Sequence, residues 1–452
     1  MTAASSTDLL VRPPDALVEK YRTRAPRYTS YPTAPQFKAI AAADVDTALA
    51  RGDGPLSLYV HIPFCKTLCL YCGCHVEIQG KRSIGALYVD GLLRELDLLC
   101  ERLPPGRPLA QLALGGGTPT FLLPEDMARL IEGIRRRLPF IDAGDYSIEI
   151  DPRTVDVDYL NTLVNIGFNR YSFGVQDFDE EVLETVKRRQ TEAVVRRALE
   201  SLRARGDFQI NLDLMYGLPH QDPERFGRSL DIVTDLRPSR IALFQYAHVP
   251  WMKPAQKVLE KSGIPQSDVK SQLFALTNDR LRAAGYHAIG MDHFALDGDE
   301  LVSGQKSGTL QRNFMGYTTG AGLDQIGIGV SSIGYFGGVY AQNLKKREDW
   351  QARIDANELP VERGLVLTDE DLRRRRLIMA LFCNFAVRWP AGEDYGAELD
   401  RLRPLEADGL CVLHDDGVDV TTLGRHFIRN ICSIFDAYFE SDVGARRYSV
   451  TA

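Results

Sequence analysis

Four of the eight cysteines in this sequence lie within ten residues, Cys65-Lys-Thr-Leu-Cys69-Leu-Tyr-Cys72-Gly-Cys74. Thiolates this close together suit soft metals, so the run predicts zinc, an iron–sulfur cluster or a disulfide pair. A structural zinc site usually has a second pair of ligands well downstream. The other four cysteines are single residues in apolar runs and offer no second pair. The spacing therefore favours a [4Fe–4S] cluster.

Three of these cysteines are well spaced to reach separate irons. Cys65, Cys69 and Cys72 follow one another at spacings that can wrap one face of a cubane and leave its fourth iron open to an outside ligand. Cys74 is ambiguous, because as a fourth ligand it would close that corner, yet it stands only one residue past Cys72. Chemistry would occur at the open iron.

The elements that must hold these cysteines begin at residue 56, where short apolar strands start to alternate with amphipathic helices. Such alternation predicts right-handed βαβ units around a parallel sheet, with ligands at the carboxyl ends of the strands. The cysteine run follows the first strand, where this rule places a site. The predicted strands are Leu56–His61, Gln111–Leu114, Ser147–Ile150, Arg170–Val175, Gln209–Leu214 and Arg240–Gln245. The predicted helices include Ile84–Glu101, Pro124–Leu138, Asp179–Val186, Glu192–Arg205 and Pro223–Asp235.

Other strand ends also carry residues suited to binding. Gly115-Gly-Gly-Thr-Pro119 would let the backbone approach a ligand closely, although a glycine triplet fits a plain tight turn equally well. In Glu149-Ile-Asp151-Pro-Arg153 the acids either hydrogen-bond a ligand or pair with the arginine. From the residues alone, both interpretations stay open at each position.

A loop precedes the first strand. Residues 24–33 combine arginine, tyrosine and proline without helical or alternating periodicity, which predicts an irregular segment. Arg27 has the planar group that grips a carboxylate through two hydrogen bonds, while composition alone favours a solvated linker.

Length and composition limit the class of protein. A chain of 452 residues has room for two or three domains, and 44% hydrophobic with 25% charged residues is typical of globular proteins. The net charge of −7 argues against a nucleic-acid partner. Residues 1–20 do not resemble a signal peptide, and no run of eighteen apolar residues occurs. We therefore expect a soluble cytoplasmic protein without a membrane partner, and clustered thiols suit that reducing compartment.

Several motifs together resemble a known family. Cys-x3-Cys-x2-Cys after a short strand resembles the radical S-adenosylmethionine enzymes. The stretches Tyr59-Val-His-Ile-Pro-Phe-Cys65, Cys72-Gly-Cys74 and Pro26-Arg-Tyr-Thr-Ser-Tyr-Pro-Thr33 resemble their oxygen-independent coproporphyrinogen III oxidase branch. The likeness covers nearly the whole chain.

The resemblance implies residue roles. The first three cysteines, Cys65, Cys69 and Cys72, would bind the cluster, whose open iron takes the amino and carboxyl groups of S-adenosylmethionine. Cys74 would be a functional thiol that is not a ligand, and Arg27 would contact the substrate from a segment covering the active site. The implied contacts with S-adenosylmethionine are Tyr59, Tyr71, Gly116, Gly117, Thr118, Glu149, Gln176, Arg188, Asp213, Ala247 and Ile333.

Two places depart from the family pattern, and the first is Ala113-Leu114 before the glycine triplet, where some members have larger residues. Met315 stands where a glutamine is typical, and a thioether cannot hydrogen-bond as an amide does. One S-adenosylmethionine is therefore expected, and binding of a second is left open.

The implied fold is α/β, a partial six-unit (β/α) barrel. Two helices, a hairpin and a final helix Gly424–Phe439 after residue 365 predict a C-terminal, mainly helical, winged-helix-like domain. The chain is divided into four parts: an N-terminal covering segment at 1–50, the barrel at 51–300, an extension at 301–364 and the C-terminal domain at 365–452.

The implied reaction is the oxidative decarboxylation of two propionates of coproporphyrinogen III to vinyl groups by a 5′-deoxyadenosyl radical, giving protoporphyrinogen IX in anaerobic haem biosynthesis. The expected partners are this tetrapyrrole and an electron donor such as flavodoxin or ferredoxin, with the enzyme a monomer. Two alternatives use the same scaffold: a tetrapyrrole methyltransferase or ring-opening enzyme, and a non-catalytic haem-binding relative. A zinc-dependent DNA binder is a remote third. The Arg-Tyr-Thr segment and Cys74 favour the enzyme.

Overall fold

Strands and helices alternate through much of the chain in the computed structural model, which describes residues 13–320 and 322–439. The strands in these residues are β1 Leu56–Ile62, β2 Phe64–Cys65, β3 Glu77–Ile78, β4 Leu109–Gly116, β5 Phe140–Ile150, β6 Arg170–Gln176, β7 Gln209–Tyr216, β8 Arg240–Gln245, β9 Tyr286–Ile289, β10 His293–Leu296, β11 Gln311–Asn313, β12 Gly316–Thr318, β13 Asp324–Ile328, β14 Ile333–Phe336, β15 Val339–Asn343, β16 Val361–Val366, β17 Ala386–Arg388, β18 Cys411–His414 and β19 Gly417–Val420.

Helices connect most of these strands. The α-helices of the described residues are α1 Asp15–Lys20, α2 Ala42–Leu49, α3 Ile84–Cys100, α4 Pro124–Arg137, α5 Val157–Asn165, α6 Glu180–Thr185, α7 Glu192–Arg203, α8 Pro223–Leu236, α9 Ser267–Ala283, α10 Glu300–Ser307, α11 Arg347–Asp355, α12 Asp369–Asn384, α13 Gly396–Ala407 and α14 Ile428–Ile434. Short 3-10 helices lie at Ala34–Gln36, Pro119–Phe121, Pro152–Thr154, Pro254–Lys261 and Gly424–Phe427. In this part of the chain no helix is long and apolar enough to cross a membrane.

The chain divides into two units, each made of separate stretches. Unit 1 comprises 1–36, 281–321 and 367–452, and unit 2 comprises 37–280 and 322–366. The four-part division proposed from the sequence stays a prediction.

Unit 2 is built on a sheet with the strand order β16-β15-β14-β13-β1-β4-β5-β6-β7-β8. The strands from β13 to β8 run parallel, and those from β13 to β16 run antiparallel. All six predicted strands are present, as β1 and β4 to β8, and the described strands of this unit do not close into a ring. The predicted α/β partial barrel is confirmed. β13, which pairs with the free side of β1, was missed because its sequence, Asp-Gln-Ile-Gly-Ile, is short and has few apolar residues.

The first strand has two different faces. Leu56, Leu58, Val60 and Ile62 are fully buried, as expected for a strand covered by helices. The alternate residues of β1 are polar or aromatic and face the other side of the sheet. The cysteine run begins just after the end of this strand.

The helices of unit 2 follow from their sequences. In α7 the buried residues are Val195, Ala198, Leu199 and Leu202, a spacing that lines one face of a helix. Helix α4 starts with a proline, has acids in its first turn and arginines in its last, which agrees with its dipole.

Unit 1 contains the C-terminal domain. Its core includes the fully buried rings of Phe382, Phe427 and Phe435, and its small sheet has the order β17-β19-β18. Helices α12 and α13 followed by the β18–β19 hairpin give the predicted winged-helix arrangement. The final helix is shorter than predicted: a 3-10 turn precedes α14, which ends at Ile434.

The N-terminal segment is irregular, as its composition predicts, and it is tied to the end of the same unit. Arg429 donates from Nε to the Pro26 carbonyl at 3.1 Å, and the Tyr28 hydroxyl donates to Asp436 at 3.1 Å. Tyr28 is almost completely buried. These bonds exclude a solvated linker at this point of the chain.

Candidate active site

The cysteine run lies in unit 2, immediately after β1. Cys65 ends the short strand β2, and its Sγ is 3.4 Å from the Thr118 hydroxyl at the end of the neighbouring strand β4. Cys69 is buried, Cys72 is half-buried and Cys74 is exposed. All are free thiols. The predicted metal ligands therefore stand at the carboxyl end of the sheet.

Two arginines point at one of these thiols. The Cys69 sulfur is 3.6 Å from Nη1 of Arg188 and 3.8 Å from Nη2 of Arg153. Both cations also contact Asp151, at 3.4 and 2.6 Å. Although burial opposes it, the charges of Arg188 and Arg153 hold the pKa of Asp151 below its usual value. The Arg153 ion pair considered from the sequence thus forms with Asp151 and leaves Glu149 for other contacts.

The glycine triplet forms a close approach between backbones. Gly116 has a φ of 108°, and a Cβ at this position would lie 2.4 Å from the His61 ring. A Cβ on Gly117 would lie 2.6 Å from the Pro63 carbonyl oxygen. The Thr118 amide bonds the strand end beside it, which fixes the turn. A side chain fits at neither glycine.

Two acidic residues at the strand ends lie close enough for their charges to interact. Glu149 accepts a hydrogen bond from the Gly116 amide at 3.3 Å. Its side chain is exposed to solvent at the end of the strand. Desolvation, followed by the charge of Asp213, raises the pKa of Glu149 to about 7. Asp213 itself accepts a bond from Asn211 at 2.7 Å. A carboxylate with these neighbours is poised to receive a cation.

The next strand end carries an amide and the buried Arg188. Gln176 has a φ of 73°, a left-handed conformation that non-glycine residues rarely adopt. Arg188 donates to the Gly174 carbonyl, while its buried Nε has no hydrogen-bond partner among the described residues. Its positive charge also acts on the buried Tyr71 hydroxyl, whose pKa desolvation nevertheless raises well above the usual value. The predicted contacts Gln176, Arg188 and Tyr71 thus belong to one region of unit 2.

Two further predicted contacts meet on the other side of β1. Tyr59 is paired in register with Gly327 of β13, and a Cβ on that glycine would lie 3.1 Å from the Ile333 carbonyl oxygen. The turn between them is tied to α3, because the buried Glu95 accepts the Gly329 amide at 2.8 Å. Burial raises the pKa of Glu95 to about 7. No motif or spacing in the sequence marks this contact of α3.

The last predicted contact of unit 2, Ala247, follows β8. Its carbonyl accepts a bond from Gln256 at 3.3 Å, and the same side chain donates to the Tyr71 carbonyl at 3.0 Å. Lys253 donates to the Cys74 carbonyl at 2.6 Å. Sequence analysis missed Gln256 and Lys253, since no motif or spacing marks them.

Arg27 and Met315 lie in unit 1. Arg27 is half-buried, and its charge joins that of Arg312 in holding the pKa of the buried Asp292 well below its usual value, against the effect of burial. Met315 lies in the tight turn between β11 and β12, where its amide donates to the Asn313 side chain at 2.8 Å.

The residues at the end of β1 fit an iron–sulfur cluster with a small ligand beside it. Three free thiols stand on one short loop, cations face Cys69, and the adjoining turn leaves no room for side chains. Among the described residues, no group of three His, Cys, Asp or Glu side chains is arranged around a single ion. Thiolates of a cluster each bind a different iron and so stand farther apart.

Comparison with known proteins gives the family. The Radical SAM superfamily model matches residues 59–233. The oxygen-independent coproporphyrinogen III oxidase of Pseudomonas aeruginosa is 43% identical over 448 residues, which cover 96% of this chain and 97% of that protein. This chain belongs to that family. The corresponding oxidase of Escherichia coli is 41% identical over 447 residues.

A solved structure of a family member agrees. The coproporphyrinogen III oxidase from Escherichia coli, described as a radical SAM enzyme, has a TM-score of 0.90 and 40% identity, covering 94% of this chain and 99% of that one. The predicted enzyme class is confirmed, an oxidoreductase with a [4Fe–4S] cluster and S-adenosylmethionine as cofactors. The predicted reaction, oxidative decarboxylation of a tetrapyrrole, coproporphyrinogen III, in haem biosynthesis, is confirmed with it.

Proposed function

We propose that unit 2 of this oxidase holds both cofactors at the strand ends, with Cys65, Cys69 and Cys72 as the cluster ligands. The observation that carries this assignment is the pair of guanidinium groups at 3.6 and 3.8 Å from the Cys69 sulfur. Guanidinium groups this close to the sulfur pair with the negative charge that a cysteine carries when it binds metal. When bound, the cofactors supply one-electron cleavage of the sulfonium and a radical that removes hydrogen from the substrate.

Cys74 has a different role. It is exposed, its backbone carbonyl accepts a bond from Lys253, and its side chain is hydrogen-bonded to that of Cys72. We assign to it a functional contact with substrate or radical. Without a fourth protein ligand, the open iron stays available to S-adenosylmethionine.

The remaining strand-end residues bind S-adenosylmethionine. Glu149, with Asp213 near it, accepts a hydrogen bond from the amino group that the open iron takes, because a carboxylate oxygen is a strong acceptor for an N–H donor. The glycine turn provides backbone contacts, and the buried Arg188 has one unused N–H. The proposed contacts are Tyr59, Tyr71, Gly116, Gly117, Thr118, Glu149, Gln176, Arg188, Asp213, Ala247 and Ile333.

Arg27 binds a propionate of the substrate. It is half-buried on a segment that Arg429 and Tyr28 hold in place, so its side chain is presented from a fixed backbone. The negative charge of its neighbour Asp292 is balanced by Arg312, whose Nη1 lies 3.6 Å from the carboxylate. The positive charge of Arg27 is therefore available to an anion. A guanidinium suits a carboxylate through two parallel bonds.

The electron donor is a small acidic protein such as flavodoxin or ferredoxin, and the enzyme acts as a cytoplasmic monomer. The cysteine loop reaches the surface at Lys66, Gly73 and Cys74, all exposed. A lysine there attracts an acidic donor, and this attraction weakens as salt screens it. Lys66→Glu should therefore slow reduction by flavodoxin but leave reduction by dithionite unchanged. If the variant and the parent protein are reduced by flavodoxin at the same rate, docking at this loop is contradicted.

The proposed function is tested by anaerobic turnover of coproporphyrinogen III with mass analysis of the products. We expect loss of two carboxyl groups and formation of protoporphyrinogen IX, together with methionine and 5′-deoxyadenosine. The Cys69→Ala variant is the control, because it should give none of these products. If the parent protein binds the cluster and S-adenosylmethionine but forms no decarboxylated product, the assignment of coproporphyrinogen III as substrate is contradicted.

A further inference from the structure

A buried glutamine connects two sides of the proposed cofactor site. Gln256 lies in the 3-10 helix Pro254–Lys261 and is only 1% exposed. Its Nε2 donates to the carbonyls of Tyr71 at 3.0 Å and Ala247 at 3.3 Å. Its Oε1 accepts the Val249 amide at 2.6 Å. The donor and acceptor groups of the side chain are therefore all engaged.

The residues that Gln256 joins come from distant parts of the chain. Tyr71 stands in the cysteine loop between Cys69 and Cys72, whereas Ala247 follows β8 at the other end of the parallel run. Both are proposed contacts of S-adenosylmethionine. A primary amide is the side chain that can donate to two carbonyls and accept from an amide at once.

The backbone of this 3-10 helix has independent support. Leu259 is fully buried in a cluster with Leu70 and Tyr246, against which Tyr71 also packs. Lys253 separately donates to the Cys74 carbonyl at 2.6 Å. Because apolar packing holds the helix in place, exchange of the Gln256 amide leaves the helix docked and removes only the directional bonds.

We propose that Gln256 is a positioning residue for the reaction: it sets the distance between the cysteine loop and the segment after β8, and so the geometry in which S-adenosylmethionine meets the open iron. The inference rests on the proposed function. Without the amide, two carbonyls and one N–H lose their partners in a buried place, and the loop shifts to satisfy them. Binding of the cofactor then becomes weaker and less well oriented.

The test compares Gln256→Met, which keeps the shape without the bonds, and Gln256→Glu, which keeps the acceptor without the N–H donors. Asn278→Ala is the matched control, because this residue is 2% exposed and, in the part of the chain that the structure describes, its amide bonds only the Phe274 carbonyl of its own helix. The measurements are iron per chain, S-adenosylmethionine affinity by equilibrium dialysis, and the electron paramagnetic resonance spectrum of the reduced cluster with and without S-adenosylmethionine.

We expect both Gln256 variants to keep the iron content of the parent protein. Their affinity for S-adenosylmethionine should fall about 2- to 13-fold, the equivalent of one lost hydrogen bond. The spectral change on adding the cofactor should also be reduced, while Asn278→Ala behaves as the parent in all three measurements.

Three results would overturn the proposal: parent-like affinity and spectra in Gln256→Met, an equal loss of affinity in Asn278→Ala, or loss of iron in both Gln256 variants, which would make the residue a support of the fold. Failure of the proposed function looks different, because the parent protein itself would then bind no cluster or no S-adenosylmethionine.

Discussion

Replacing Glu149 with glutamine should weaken binding of S-adenosylmethionine and remove its dependence on pH. Among the described residues, the carboxylate accepts one bond, from the Gly116 amide at 3.3 Å, and it is accessible to a ligand. A glutamine keeps the size and one acceptor but carries no charge. The change therefore tests the negative charge of Glu149 and disturbs little else.

The size of the effect follows from the kind of bond lost. A hydrogen bond to a charged group contributes roughly 1.5–3 kcal/mol, which corresponds to a weakening of about 10- to 150-fold. The direction of the pH effect follows from the pKa of Glu149, which is raised to about 7. Below that pH the folded protein holds a proton on Glu149, and this proton must leave before the carboxylate can accept a hydrogen bond from the ligand. From this group alone, affinity should therefore fall up to about tenfold per pH unit below 7 and be constant above it.

The assay is anaerobic equilibrium dialysis of labelled S-adenosylmethionine against the cluster-loaded protein, from about pH 6 to about pH 8.5. The parent should show a midpoint near pH 7, and Glu149→Gln should bind weakly at every pH. Asp213→Asn removes the neighbouring negative charge, so it should lower the pKa of Glu149 and move the midpoint to lower pH. Parent-like affinity in Glu149→Gln, or a parent profile that is flat across this range, would refute the assignment of the amino group to Glu149.

Further predictions concern the thiols, the substrate arginine and the turn in unit 1. Alanine at any one of the three proposed cluster ligands should abolish iron binding, whereas Cys74→Ala should keep the iron near normal and lower turnover; iron loss in the latter would make Cys74 a ligand. Arg27→Ala should reduce decarboxylation more than cleavage of S-adenosylmethionine, and equal losses would point to a structural role. Met315→Gln restores one donor and one acceptor, worth roughly 0.5–1.5 kcal/mol, so affinity for S-adenosylmethionine or turnover should rise about 2- to 13-fold. Unchanged values would argue against a second cofactor at this turn.

The elements of unit 2 and the chemistry of the cysteine run could be predicted from the sequence alone. The six predicted strands lie within β1 and β4 to β8, because alternating apolar strands and amphipathic helices are local patterns. Cysteine spacing is also local, so the cluster could be predicted and is confirmed by family membership. The roles of the individual ligands stay predictions.

Which distant side chains surround these cysteines could not be predicted from the sequence and follows from the folded chain. Arg153 and Arg188 reach Cys69 from 84 and 119 positions away, and Gln256 reaches Tyr71 from 185 positions away. The neighbour of β1 on its second side, β13, comes from the far end of unit 2. Such contacts depend on strand order and register, which the local pattern of polar and apolar residues leaves open. Each element could therefore be predicted from its own residues, while the charges and amides around the proposed site follow from how the strands are arranged.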